Sequence, residues 1–102
     1  MGNDISVREL KDKMARGEHF ILIDVREPDE HLRFNIGGQL IPLGTVPNSI
    51  EDMDYPEDAE IIVYCRSGRR SATARHLMTE AGFSNVRNLK GGVLEWIELF
   101  HQ

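Results

Sequence analysis

Apolar residues recur along this chain in two rhythms, and the rhythms mark out its elements. Val7, Leu10 and Met14 share one face of a helix predicted from about Val7 to Arg16. Ser6-Val7-Arg8-Glu9 is a capping box that opens it, and Gly17 suits its end. Phe20 to Val25 is a continuous apolar run, short and partly β-branched, as expected of a buried strand. Pro28 fits the first turn of a short helix carrying Asp29, Glu30 and His31. Asn35-Ile36-Gly37-Gly38 reads as a turn, and Gln39 to Ile41 as a brief strand stopped by Pro42. Ile61 to Tyr64 is the next buried strand, followed by a tight loop from Cys65 to Arg70. A helix is predicted from Ser71 to about Ala81, with Ala74, Leu77, Met78 and Ala81 on one face and Gly82 at its end. Val86 to Leu89 reads as a strand. Gly91-Gly92 leads into a last helix whose Val93, Trp96, Ile97 and Phe100 form a stripe, which makes Trp96 a core residue. Short strands alternating with helices predict an α/β fold, a small and mostly parallel sheet flanked by helices. In such sheets, sites lie beyond the carboxyl ends of the strands. The loops after Val25 and after Tyr64 fall there.

Composition narrows the picture. A length of 102 residues suits one domain spanning 1–102, and 40% hydrophobic residues suffice for a core without staples. The single cysteine excludes an internal disulfide and a cysteine-based zinc site. His19, His31, His76 and His101 have no metal-ligand spacing, so no metal is expected, and no cofactor is implied. A net charge of −5 argues against nucleic acid as a partner. No apolar run approaches the roughly 20 residues of a membrane helix, so no membrane partner is expected either. Met1-Gly2-Asn3-Asp4-Ile5-Ser6 fits the loose myristoylation pattern, but no polybasic second signal follows and Ser6 is better read as a helix cap. A free thiol without an export signal favours the cytoplasm. The six acids between Glu51 and Glu60 read as solvated loop and short helix.

The chemistry gathers in Cys65-Arg66-Ser67-Gly68-Arg69-Arg70-Ser71. A strand ends, a few residues turn, and a helix begins. Backbone N–H groups in such a turn can point inward as an anion-binding nest, and the helix start adds more. A thiol over that cradle ionises more easily, aided by nearby arginines, and the thiolate is a nucleophile. From Ile61 to Thr79 there are four arginines and no acid, a window of +4 in a chain that is −9 elsewhere. Such a patch suits a small anionic substrate. The competing reading is a small buried hydrophobe at a strand end. The glycine turn, the arginines and the helix start all weigh for the reactive thiol.

At this point the chain resembles a single-domain rhodanese-like sulfurtransferase over nearly its whole length. Asp24-Val25-Arg26-Glu27 with Glu30-His31 looks like the family's first motif. Cys65 to Ser71 looks like its active-site loop. Gly82-Phe83-Ser84-Asn85-Val86 and Leu89-Lys90-Gly91-Gly92, ending in Trp96, look like its closing signature. The resemblance implies that Cys65 carries a persulfide. Its thiolate would take the outer sulfur of a small anionic donor such as thiosulfate, and a thiol, a protein or cyanide would accept it. Arg66 and Arg69 would bind the donor, with Ser67, Gly68 and Ser71 completing the cradle. Arg70 would either line the pocket or pair with Asp24 or Glu30 and brace the two loops, bracing being favoured. Asp24, Arg26 and Glu30 would support the loop. One departure stands out: Asn35 replaces the family's usual histidine, which touches the turn's packing more than the chemistry. His31 and His76 are read as structural or surface residues.

Three rivals are weighed. A phosphatase or arsenate reductase would place an arginine sixth after the cysteine. Here Ser71 is sixth and Arg70 fifth, which favours sulfur over phosphate. A non-catalytic interaction or regulatory module has no need of Cys65. A redox thiol would require a resolving cysteine from another molecule.

Overall fold

The structure, a computed structural model, describes residues 4–101. The N-terminal glycine of the myristoylation pattern lies outside them. Five strands form one parallel sheet: β1 (Asp4–Ile5), β2 (Ile21–Asp24), β3 (Gln39–Leu40), β4 (Ile61–Tyr64) and β5 (Val86–Leu89). Their order is β1-β5-β4-β2-β3. The helices are α1 (Val7–Ala15), α2 (Pro28–Arg33), α3 (Val46–Ser49), α4 (Arg69–Glu80) and α5 (Gly92–Phe100). Short 3₁₀ turns at Leu43–Thr45 and Ile50–Asp52 flank α3.

The period of two along β4 builds two cores at once. Ile61, Val63 and then Cys65 face one side, where Ala74 and Met78 of α4 pack with Ile23 and Val25. Ile62 and Tyr64 face the other, against Val7 and Leu10 of α1 and Val93 and Trp96 of α5. Every residue of β4 is buried, as a central parallel strand covered on both faces must be. Trp96 is core as expected. Phe100 packs edge-on against it, with ring centroids 4.9 Å apart. Ile97, placed on the same stripe by the spacing, is instead exposed. The apolar face of α5 is narrower than its sequence pattern, and Ile97 turns toward a cleft beside the Cys65 loop.

The elements match their predicted positions to within a residue or two at most ends. Half of the capping box is present: Ser6 Oγ accepts from the Glu9 N–H at 3.0 Å, while the Glu9 carboxylate accepts from Arg87 instead. Two corrections matter. α4 begins at Arg69 rather than Ser71, so the loop is Cys65 to Gly68. β1 and α3 carry too short a pattern to be read from the sequence. β1 is a strand only because it pairs with β5. The acidic stretch is a 3₁₀ turn and loop, mostly half-buried or exposed.

β4 is the switch point of the sheet. From it the chain runs through α4 to β5 on one flank, while β2 lies on the other. Ligands in open α/β sheets bind beyond such a strand's carboxyl end. Cys65 is the first residue past it.

Candidate active site

Cys65 is 1% exposed. Its side chain continues the alternation of β4 and turns under the start of α4. Two N–H groups and a hydroxyl converge on the sulfur. The Gly68 N–H lies 3.1 Å from Sγ, the Ser71 N–H 3.4 Å and the Ser71 hydroxyl oxygen 3.3 Å. Gly68 adopts φ +100°, a left-handed conformation that glycine takes without strain, and this swings its N–H onto the sulfur. Burial pushes the thiol up. The hydrogen bonds of the Ser71 hydroxyl and of the Ser71, Gly68 and Ser67 N–H groups outweigh it, so Cys65 ionises below the ordinary thiol value.

N–H groups can face inward only if the loop's carbonyls face out and find partners. They find them in α5. The Val93 N–H donates to the Cys65 carbonyl and the Leu94 N–H to the Arg66 carbonyl, both at 3.0 Å. The first turn of α5 thus spends its orphan donors on the active-site loop. The approach is so close that a Cβ on Gly92 would stand 2.5 Å from the Arg66 carbonyl oxygen and 2.6 Å from that of Cys65. Gly92 is therefore part of the site's construction.

The supporting residues form two ion pairs of different kinds. Asp24 is fully buried at the end of β2. It accepts from Arg26 Nε at 3.0 Å and Nη2 at 2.8 Å, from the Arg26 N–H at 3.0 Å, and lies 2.8 Å from His31 Nδ1. Burial pushes its carboxyl up, and the bonds from Arg26 and His31 bring it below the usual range. Arg26 Nη2 also donates to the Phe34 carbonyl at 2.6 Å, closing the loop that contains α2. His31 is a structural residue here, and His76 is exposed.

The second pair reaches across to the Cys65 loop. Arg70 Nη1 and Nη2 donate to the two oxygens of Glu30 at 2.7 and 3.0 Å. Arg70 holds the Glu30 carboxyl down at about 2, against the opposing effect of burial. The sequence left Arg70 between lining and bracing. Its fork is engaged by Glu30, and Asp24 is engaged by Arg26. Arg66 and Arg69 are exposed and join no ion pair among the described residues. Arg66 borders a cleft of about 200 Å³ with Glu30, Phe34, Leu94 and Ile97. Two larger hollows, about 510 and 630 Å³, include no residue of the loop from Cys65 to Ser71.

Asn35 closes its own turn. Its Nδ2 donates to the His31 carbonyl at 3.0 Å and its Oδ1 accepts from the Gly37 N–H at 2.9 Å. Asparagine performs this local role well, so the turn is intact without the histidine.

A strand-end thiol in a nest of N–H groups, closed by Gly92, coincides with a sequence match over most of the chain. A family model, that of the Rhodanese-like domain, matches residues 6–99. This chain belongs to the rhodanese-like domain family. The domain is 34% identical over 97 residues to a sulfurtransferase of Allochromatium vinosum, covering 94% of this chain and 89% of that one. It is 38% identical over 96 residues to the probable adenylyltransferase/sulfurtransferase MoeZ of Mycobacterium tuberculosis, 93% of this chain but only 24% of that longer protein. Its fold superposes on the human single-domain sulfurtransferase TSTD1 with a TM-score of 0.85 at 25% identity, covering 96% and 97% of the two chains. Among the described residues of this rhodanese-like domain, no helix is long and apolar enough to cross a membrane, and no cluster of His, Cys, Asp or Glu could hold a metal ion.

One residue of the site escaped the sequence reading. Asn88, in β5, is buried and bonded to both Ser71 and the Gly68 carbonyl. Its only signal was a polar side chain inside a strand that reads as core.

Proposed function

We propose that this domain is a sulfurtransferase whose Cys65 alternates between a thiolate and a persulfide. The observation that carries this reading is the set of two N–H groups and one hydroxyl within 3.1–3.4 Å of Sγ. In the first half-reaction, the Cys65 thiolate attacks the outer sulfur of thiosulfate. A Cys65–sulfur bond forms, the donor's S–S bond breaks, and sulfite leaves with the electron pair. The outer persulfide sulfur retains the negative charge, which the N–H groups of the cradle stabilise. In the second, a thiolate or cyanide attacks that outer sulfur and the Cys65 thiolate is released. This is ping-pong covalent catalysis.

Arg66 and Arg69 supply charge for the anionic donor at the mouth. Arg70 braces the site through Glu30. That engagement also weakens a phosphatase reading, because the arginine nearest the required position is already occupied. Intact-mass measurement after thiosulfate treatment tests the proposal. One sulfur atom should be gained by the wild type and none by Cys65→Ser. Sulfur transfer that survives in Cys65→Ser would sink it.

A further inference from the structure

Asn88 has no part in the steps above, yet it is 8% exposed and fully engaged. Its Nδ2 donates to the Gly68 carbonyl at 3.0 Å. That bond fixes the direction of the amide. Turned over, its oxygen would oppose the Gly68 carbonyl, two acceptors with no proton between them. Asn88 Oδ1 therefore faces Ser71 Oγ, with which it makes a short hydrogen bond, and the proton in that bond must come from Ser71.

Ser71 has one hydroxyl proton and two neighbours that want it. The same oxygen lies 3.3 Å from Cys65 Sγ. While the sulfur is a thiol, the three groups are satisfied in series: S–H donates to Ser71, and Ser71 donates to Asn88. Once the sulfur is a thiolate it has no proton to give. The hydroxyl can then turn to the sulfur and leave Asn88 Oδ1 bare, or stay with Asn88 and present a lone pair to the anion. The Gly68 and Ser71 N–H groups face no such choice. Arg70 is the charged group that bears on the sulfur from α4, with Glu30 of α2 clamped to it.

We infer that Asn88 is a positioning residue: it competes with the Cys65 sulfur for the Ser71 hydroxyl proton and so leaves the thiolate less stabilised and more nucleophilic than the cradle alone would make it. The more weakly a thiolate is stabilised, the better each ionised sulfur attacks, while the ionised fraction falls. The use of this device rests on the sulfur-transfer reading; its geometry does not.

The test is a titration of Cys65 by the pH dependence of iodoacetamide alkylation, in wild type, Asn88→Ala, Ser71→Ala and the double variant. Asn88→Ala frees the hydroxyl, and the thiolate fraction at neutral pH should rise by up to about tenfold, the equivalent of one charge-assisted hydrogen bond. The Gly68 carbonyl keeps its bond from the Ala72 N–H at 3.2 Å, so the loop stays tied to α4. With Ser71→Ala already present, Asn88→Ala should change the fraction less than about twofold, since no proton is left to release. A fall in thiolate on Asn88→Ala, or an equal change with and without Ser71, would show that Asn88 merely props the loop. Should the alanine variant fail to fold, as read by thermal unfolding, Asn88→Leu serves. It keeps the volume and removes the acceptor, so the rise in thiolate should appear with Ser71 present and not with Ser71→Ala. An equal change in the two backgrounds would count against the competition. Sulfur loading by intact mass is scored separately. A wild type that gains no sulfur defeats the transfer reading while the titration still decides the role of Asn88.

Discussion

At the scale of single residues, the site divides labour between charge and backbone. The donors that hold the sulfur are mostly N–H groups, which cannot be mutated away singly; the exposed arginines are the mutable part. Arg66→Ala should raise the donor KM by roughly 3- to 30-fold, the loss of one charge-assisted contact, with a smaller effect on kcat. Steady-state kinetics with thiosulfate measures it, and an unchanged KM would remove Arg66 from the donor site. Glu30 makes a prediction about acid. Its folded value is about 2 and its ordinary value 4.5, so the folded state favours the ionised form. The stabilisation is complete above pH 4.5 and disappears as pH falls toward 2. Glu30→Gln should flatten that part of the stability-versus-pH curve, followed by denaturant unfolding at stepped pH. The sequence placed Cys65, Glu30 and the arginines in one neighbourhood but could not say which arginine was free. That depends on the distance between α2 and α4, which no local pattern encodes. Asn88 stayed hidden for a related reason. A polar residue in a buried strand announces a partner without naming it.

At the scale of elements, the site is a junction of β4, α4 and α5. Strands β2, β4 and β5 were legible because each is an apolar run of the right length, bounded by polar or turn residues. The start of α4 was misplaced by two residues because its N-cap is Gly68, with no side-chain cap to mark it, and because Arg69 and Arg70 read as loop charge. β1 was invisible because two residues have no period. The role of α5 could not be inferred from its apolar stripe either; it lies in the N–H groups of its first turn. Gly92→Ala puts a methyl against two loop carbonyls at 2.5 and 2.6 Å and strains a backbone at φ +59°. It should destabilise the fold by about 2 kcal/mol or more and also reduce sulfur loading per folded molecule. Thermal unfolding and mass spectrometry on the same sample separate the two effects. Full loading by a destabilised but folded Gly92→Ala protein would mean that α5 does not shape the cradle.

At the scale of the whole molecule, the relevant quantity is the uneven charge. The body measures 36 × 29 × 23 Å. At 0.01 M salt the Debye length is about 30 Å, so an approaching anion feels the net charge and is repelled. At 0.15 M it is about 8 Å, and the anion feels mainly the local arginines. Near 1 M even those are screened. The kcat/KM for thiosulfate should therefore rise and then fall with ionic strength, whereas an uncharged sulfur donor should show little dependence. A monotonic decline from the lowest salt would mean that the distant acids exert no influence at the mouth. Charge balance was open to arithmetic on the sequence. The exposure of Leu94 and Ile97 beside the cleft was not, because it depends on how α5 lies against the sheet.

The carbonyls of Cys65 and Arg66 are held by a helix that is made after them. During synthesis the ribosome delivers Cys65, its turn and α4 well before Val93 and Leu94. Until those residues arrive, the two carbonyls lack the donors that hold them outward. A product ending before α5 lacks both of those donors and is expected to gain less sulfur from thiosulfate per molecule than the chain that carries them.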